Sequence, residues 1–156
     1  MSRDALLEQT ASELGYRFDG TIKIGGNYTP MVQDGSLLYI SGQIPRVGDT
    51  VMVAGKVGLD VDLAQAQLAS KICTMRALAL IKQQFGSLDK IQSVLKMNVY
   101  VNCCDDFTQQ SEVSDGASDL LFAILGDSGI HSRTSVGVYQ LPKNASVEID
   151  FIIKIK

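Results

Sequence analysis

The chain has 156 residues and a mass of 16.9 kDa, with 14 basic and 17 acidic side chains for a net charge of −3. With 46% hydrophobic and 20% charged residues it can bury one sizeable core, which excludes a disordered or solvating chain and points to one domain. No run nears the ~20 apolar residues of a membrane span, and a pI near 5.0 without a basic stripe argues against nucleic acid held through phosphates.

The first residues, MSRDALLEQTASEL, carry Asp4 and Glu8 and lack the apolar centre of a secretion signal. The cysteines Cys73, Cys103 and Cys104 are odd in number, which reads as reduced thiols. Both features lead to the expectation of a cytoplasmic protein. Residues 4–14 are predicted to form an amphipathic helix, with Leu7, Ala11 and Leu14 on one stripe and Gly15 as its stop. Met31-Val32 and Leu37–Ser41 flank Gln33-Asp34-Gly35-Ser36 and predict a hairpin, with a further short strand over Thr50–Ala54.

Residues 61–85 read as a long helix on the stripe Leu68, Ile72, Met75 and Ala79, capped by Asp60 or Asp62 and closed by Gly86. Val94–Val101 alternates as a half-buried strand. A second helix is predicted from Asp105 or Asp106 to Gly126, weakened by Gly116 in its interior. Thr134–Leu141 and Ser146–Lys154 then read as two strands joined by Pro142-Lys143-Asn144-Ala145. The predicted fold class is α+β, a mixed sheet with two long helices packed on one face. Its other face carries Val136, Val138 or Tyr139, Ile152 and Tyr100 beside Glu148 and Asp150, so burial in an oligomer is expected.

No nucleophile elbow, phosphate loop or dinucleotide fingerprint is present. One histidine and no C-x-x-C pair make a metal site unexpected. His131 reads as a loop or interface residue or, alternatively, a general base. Arg133 stands where the polar run Gly129–Ser132 becomes a strand, and its rigid fork suits a carboxylate or a surface ion pair. Glu148, in the apolar strand Ser146–Ile153, is either a solvated carboxylate or one whose pKa desolvation lifts toward acid/base use. If the last two strands pair as a hairpin, positions 133 and 148 lie roughly 20 Å apart and converge only across a subunit interface.

These residues sit in segments that resemble the RidA/YjgF family, also called the endoribonuclease L-PSP family. The matching pieces are Tyr28, Ser41-Gly42-Gln43-Ile44-Pro45, and Ser132-Arg133-Thr134-Ser135-Val136-Gly137-Val138 followed by Leu141-Pro142 and Val147-Glu148-Ile149. The resemblance implies a chorismate-mutase-like homotrimer with the free sheet face inside the assembly and clefts between subunits. It also implies hydrolysis of small-molecule imines or enamines to 2-keto acids and ammonia, without metal or cofactor. Arg133 would then clamp the substrate carboxylate and Glu148 would handle water or a proton. Tyr28 would line the pocket, Ser41 and Gly42 would supply polar and backbone contacts, and Ser135 would stand where the family often has a cysteine. Residues 1–20 are then a helical extension and 21–156 a single domain of this kind. Ser111 replaces a frequent asparagine, and the segment from Phe107 to Arg133 is longer than usual. A non-catalytic trimer that senses carboxylate metabolites is the rival reading. RNA cleavage is suggested only by the family's older name and opposed by the acidic pI.

Overall fold

The computed structural model describes all 156 residues. Helix α1 (Arg3–Glu13) is capped by the Ser2 hydroxyl and buries Leu7 and Ala11, while Leu14 falls beyond the last turn and is exposed. The hairpin forms as β1 (Met31–Asp34) and β2 (Leu37–Gln43), pairing Asp34 with Leu37. The turn is therefore the two residues Gly35-Ser36, with glycine at φ +58, which is shorter than the four-residue connection predicted. The predicted strand over Thr50–Ala54 is curtailed to β4 (Thr50–Val51), which pairs only with β3 (Arg46–Val47).

Helix α2 (Leu63–Phe85) starts on a capping box between Asp62 and Gln65 and ends at Gly86 in the left-handed conformation, φ +82. Strand β5 (Ile91–Asn102) follows, then α3 (Gln110–Leu125), β6 (Ser132–Val138) and β7 (Val147–Ile155). Neither Asp105 nor Asp106 caps α3. The cap position is Gln109, because Cys104 donates its backbone N–H to the Val57 carbonyl and Phe107 donates to the Cys104 carbonyl in a turn before the helix can begin.

The five-stranded sheet has the order β1-β2-β7-β5-β6 and is mixed, since β5 and β6 run parallel and the other pairs antiparallel. This overturns the expected final hairpin. Although β6 and β7 are consecutive in the chain, β5 is hydrogen-bonded between them. The parallel β5–β6 pair is what a crossover helix, α3, produces, and it leaves β6 at the edge.

One sheet face packs against α2 and α3, with Phe151, Met97, Ile149, Ile72, Met75 and Leu121 in a common core. Each such buried side chain contributes about 1.5–3 kcal/mol. Helix α1 lies on the outside of this layer, and the Arg3 guanidinium anchors it by donating to the Leu88, Ile91 and Leu125 carbonyls and to Ser128 Oγ. The close approach of α2 and α3 explains Gly116. A Cβ there would stand 2.3 Å from the Gln67 carbonyl oxygen, so the glycine that weakens α3 locally is required by packing. The second sheet face is uncovered. Val32, Tyr39 and Val136 are exposed on it, alongside Tyr100, Asp150 and Ile152. No helix is long and apolar enough to cross a membrane.

Candidate functional site

Strand alternation puts the two principal candidates on opposite faces of the sheet. Arg133 pairs with buried Met97 and so points to the helical side, whereas Glu148 pairs with Tyr100 on the open side. They are offset by three residues along the strands and by two strand spacings, roughly 10 Å in each direction. The two side chains of one chain therefore do not meet, for a reason different from the single hairpin expected from the sequence.

Arg133 is three-quarters buried and both Nη atoms of its fork are engaged by α3. Nη1 donates to Ser118 Oγ at 2.8 Å, and Nη2 donates to Ser111 Oγ at 3.0 Å and to the Ser111 carbonyl at 3.2 Å, while Asp115 Oδ1 forms an ion pair with Nη2 at 2.9 Å. These three α3 residues follow i, i+4, i+7 spacing and form one polar stripe beside the apolar stripe of Val113, Ala117, Leu120, Leu121 and Ile124. That second stripe is the signal in the sequence for Asp115 and Ser118, two residues the family resemblance does not single out.

His131 belongs to the same cluster. Its Nδ1 lies 2.7 Å from the Gly129 carbonyl, which can only accept, so Nδ1 carries a proton. Nε2, 3.0 Å from Ser118 Oγ, then accepts the serine hydroxyl proton in the neutral ring. Hydrogen bonds thus run from Arg133 through Ser118 and His131 to Gly129. Ser135 lies two residues further along the same face. Its Oγ is 2.5 Å from Ser114 Oγ, and because the Ser114 hydroxyl donates to the Gln110 carbonyl, Ser135 is the donor.

On the open face, Glu148 is half-buried and accepts from no group of its own chain. Burial first, and then the neighbouring Asp150 charge, push its carboxyl above the usual glutamate value. The residue that seats it is Gly42, in the β2 irregularity between the Ile40–Phe151 and Gln43–Ile149 pairs. A Cβ on Gly42 would stand 2.2 Å from Glu148 Oε1, so only glycine leaves room for this carboxyl. The irregularity is held from behind. Buried Arg76 donates to Gln43 Oε1 at 3.2 Å, and Gln43 Nε2 donates to the Ser41 carbonyl at 2.9 Å. Arg76 also binds the Arg46 and Lys23 carbonyls, and burial lowers its pKa. An arginine inside the apolar run Cys73–Ile81 is the sequence signal for this support.

Ser41 joins Glu148's surroundings to the remaining candidate. Its hydroxyl donates to the Thr29 carbonyl and its backbone N–H to the Pro30 carbonyl, which brings the loop bearing exposed Tyr28 alongside β2. The structure therefore gathers Glu148, Gly42, Ser41 and the Tyr28 loop on one side, and Arg133 and Ser135 on the other. No three His, Cys, Asp or Glu side chains converge to hold a metal ion. A cavity of about 820 Å³ lies away from both groups, between α1, residues 15–19 and α2, lined by Leu7, Ala11, Tyr16 and Lys82 among others. None of the chemistry-bearing residues above lines it.

Residues 11–153 match a family described as "YjgF/chorismate_mutase-like, putative endoribonuclease". Protein TCP17 of Trypanosoma cruzi is 34% identical over 143 residues, which cover 91% of this chain and 89% of that protein. A 2-iminobutanoate/2-iminopropanoate deaminase of Dermatophagoides farinae is 31% identical over 132 residues, covering 84% of this chain and 88% of the mite protein. Among solved structures, a protein of unknown function from Agrobacterium tumefaciens superposes with a TM-score of 0.86 at 41% identity, covering 98% of this chain and 94% of that one.

Proposed function

This chain belongs to the YjgF/chorismate-mutase-like family, and we propose that it hydrolyses small 2-imino acids or their enamine tautomers to 2-keto acids and ammonia. The observation that carries the reading is Glu148, a half-buried carboxylate without a partner in its own chain, seated on Gly42 and raised above the ordinary glutamate pKa. A carboxyl raised in this way holds a proton more readily than a free glutamate, as general acid–base work requires. As the water oxygen bonds to the carbon of the protonated imine, the C=N electron pair passes to nitrogen and Glu148 takes one water proton. It returns that proton to the amino nitrogen, and as the C–N bond breaks and ammonia leaves, the hydroxyl proton passes to Glu148 and the keto C=O forms. The imine is already electrophilic, so orientation and one tuned carboxylate suffice.

Arg133 is proposed to bind the substrate carboxylate, with Ser135, Ser41, Gly42 and the Tyr28 loop shaping the pocket. Since Arg133 and Glu148 face opposite ways, the site is proposed to form between subunits of a homotrimer, Arg133 coming from one chain and Glu148 from its neighbour. The exposed Val32, Tyr39 and Val136 on the free face support such an assembly. An amino-acid oxidase supplies 2-imino acids and semicarbazide traps those left unhydrolysed. Purified protein should lower semicarbazone formation, and Arg133→Ala or Glu148→Gln should abolish the effect. No faster loss of any 2-imino acid, with Arg133→Ala indistinguishable from wild type, overturns the proposal. A non-catalytic carboxylate sensor is the second reading, favoured by the anchoring of Arg133 on three α3 acceptors and the Asp115 ion pair. It predicts 2-keto acid binding that needs Arg133 and survives Glu148→Gln.

A further inference from the structure

The proposed carboxylate clamp already holds a carboxylate. Asp115 Oδ1 lies 2.9 Å from Arg133 Nη2, so the pair is close to neutral before any ligand arrives. Asp115 is not needed to hold the arginine in place, because Ser118 Oγ, Ser111 Oγ and the Ser111 carbonyl already do so. Its side chain is 49% exposed and its Oδ2 accepts from nothing in the chain, leaving one carboxylate oxygen free at the rim of the clamp. Nε of Arg133 likewise donates to no group of the chain, so the guanidinium keeps donor capacity for a ligand.

A simple anion placed there would meet both the arginine and the like charge of Asp115, which already offsets the arginine. Two acceptor oxygens on neighbouring donors of one guanidinium lie roughly 3–5 Å apart. That is within hydrogen-bond reach of a nitrogen on the carbon next to the ligand's carboxylate. We infer that Asp115 makes this site selective for zwitterions, in which a cationic nitrogen adjoins the carboxylate, over carboxylates that lack that nitrogen. Arg133 binds the carboxylate, and Asp115 accepts from the nitrogen. The inference rests on the imino-acid reading and adds a direction to it. A protonated 2-imino acid, R–C(=NH2+)–COO−, satisfies both groups, whereas the 2-keto acid product has exchanged that N–H donor for a carbonyl oxygen and is repelled by Asp115. Substrate binding and product release are then separated by one side chain on α3.

The matched probes 2-aminobutanoate and 2-oxobutanoate share a carbon skeleton and differ in an ammonium against a carbonyl oxygen. Calorimetric titration of both into the intact protein, Asp115→Asn and Arg133→Ala tests the inference. Wild type should prefer 2-aminobutanoate by about tenfold, consistent with a partly screened unit charge nearby. Asp115→Asn, which keeps a hydrogen-bonding oxygen beside Arg133, should bring the ratio near unity, chiefly by tightening 2-oxobutanoate. A wild-type preference below about threefold overturns the role of Asp115 without need of any variant. So does a ratio that Asp115→Asn leaves unchanged, and if Arg133→Ala still loses both probes the carboxylate reading survives. Binding of neither probe to wild type overturns both.

Discussion

Glu148 and Gly42 are coupled by contact, so each predicts the behaviour of the other. Gly42→Ala places a methyl where Glu148 Oε1 stands, and the carboxyl must rotate out of its seat. The backbone at Gly42 is not in the left-handed region, so the fold should tolerate the methyl while turnover falls at least about tenfold, measured by the semicarbazide assay. The raised carboxyl also has a sign in stability. A pKa raised on folding means the native state disfavours ionised Glu148, so the group lowers stability above its folded pKa and the penalty vanishes below the unfolded value of about 4.3. Glu148→Gln should therefore melt higher than wild type at pH 7, and the two should converge as the pH is lowered to about 4, read by thermal denaturation. Cys73 illustrates the opposite use of burial. It is fully enclosed, and desolvation holds its thiol well above the usual range, so it should resist thiol reagents that label the partly exposed Cys103 and Cys104.

Helix α3 does two jobs with two stripes, an apolar one toward the core and a polar one toward Arg133. Gly116 lies where α3 crosses α2, and Gly116→Ala must push the helices apart. Its expected cost is about 1–3 kcal/mol, seen as a lower melting temperature, with a loss of 2-aminobutanoate affinity as Ser111, Asp115 and Ser118 move with the helix. The apolar stripe was plain in the sequence, and with it the existence of both long helices and their stops at Gly86 and Gly126. The polar stripe was equally regular but could not be interpreted there, because serine and aspartate on an outer helix face need no partner. Only the placement of β6 against α3 gives them one. The same limit hid Arg76: its place in an apolar helix was visible, but the carbonyls that neutralise its burial come from residues 23 and 46, far away in the chain. The sequence misplaces the start of α3 because an aspartate is an ordinary cap signal, while the pairing of Cys103 and Cys104 with Val57 that delays the helix is tertiary.

At the scale of the whole molecule, the division of Arg133 and Glu148 between sheet faces makes assembly part of the functional question. Light scattering should give three times the 16.9 kDa chain mass, and Tyr39→Asp combined with Val136→Asp should reduce it to the single-chain value. Mixing the inactive Arg133→Ala and Glu148→Gln proteins after partial unfolding and reassembly should restore some turnover, since mixed assemblies contain clefts with both residues intact. If the mixture stays inactive while mixed assemblies demonstrably form, the two residues do not share a site across chains. The sequence by itself determined the α+β class, the alternation that makes β5 and β7 two-faced, and the residue types available for chemistry. Those properties are set by side-chain periodicity and local backbone preference, which act over a few residues. The tertiary structure alone decided that β5 separates β6 from β7, that Arg133 and Glu148 look away from each other, and that Asp115 stands at the arginine. Those outcomes depend on strand order, and strand order follows from how α3 returns the chain across the sheet to bury one shared core.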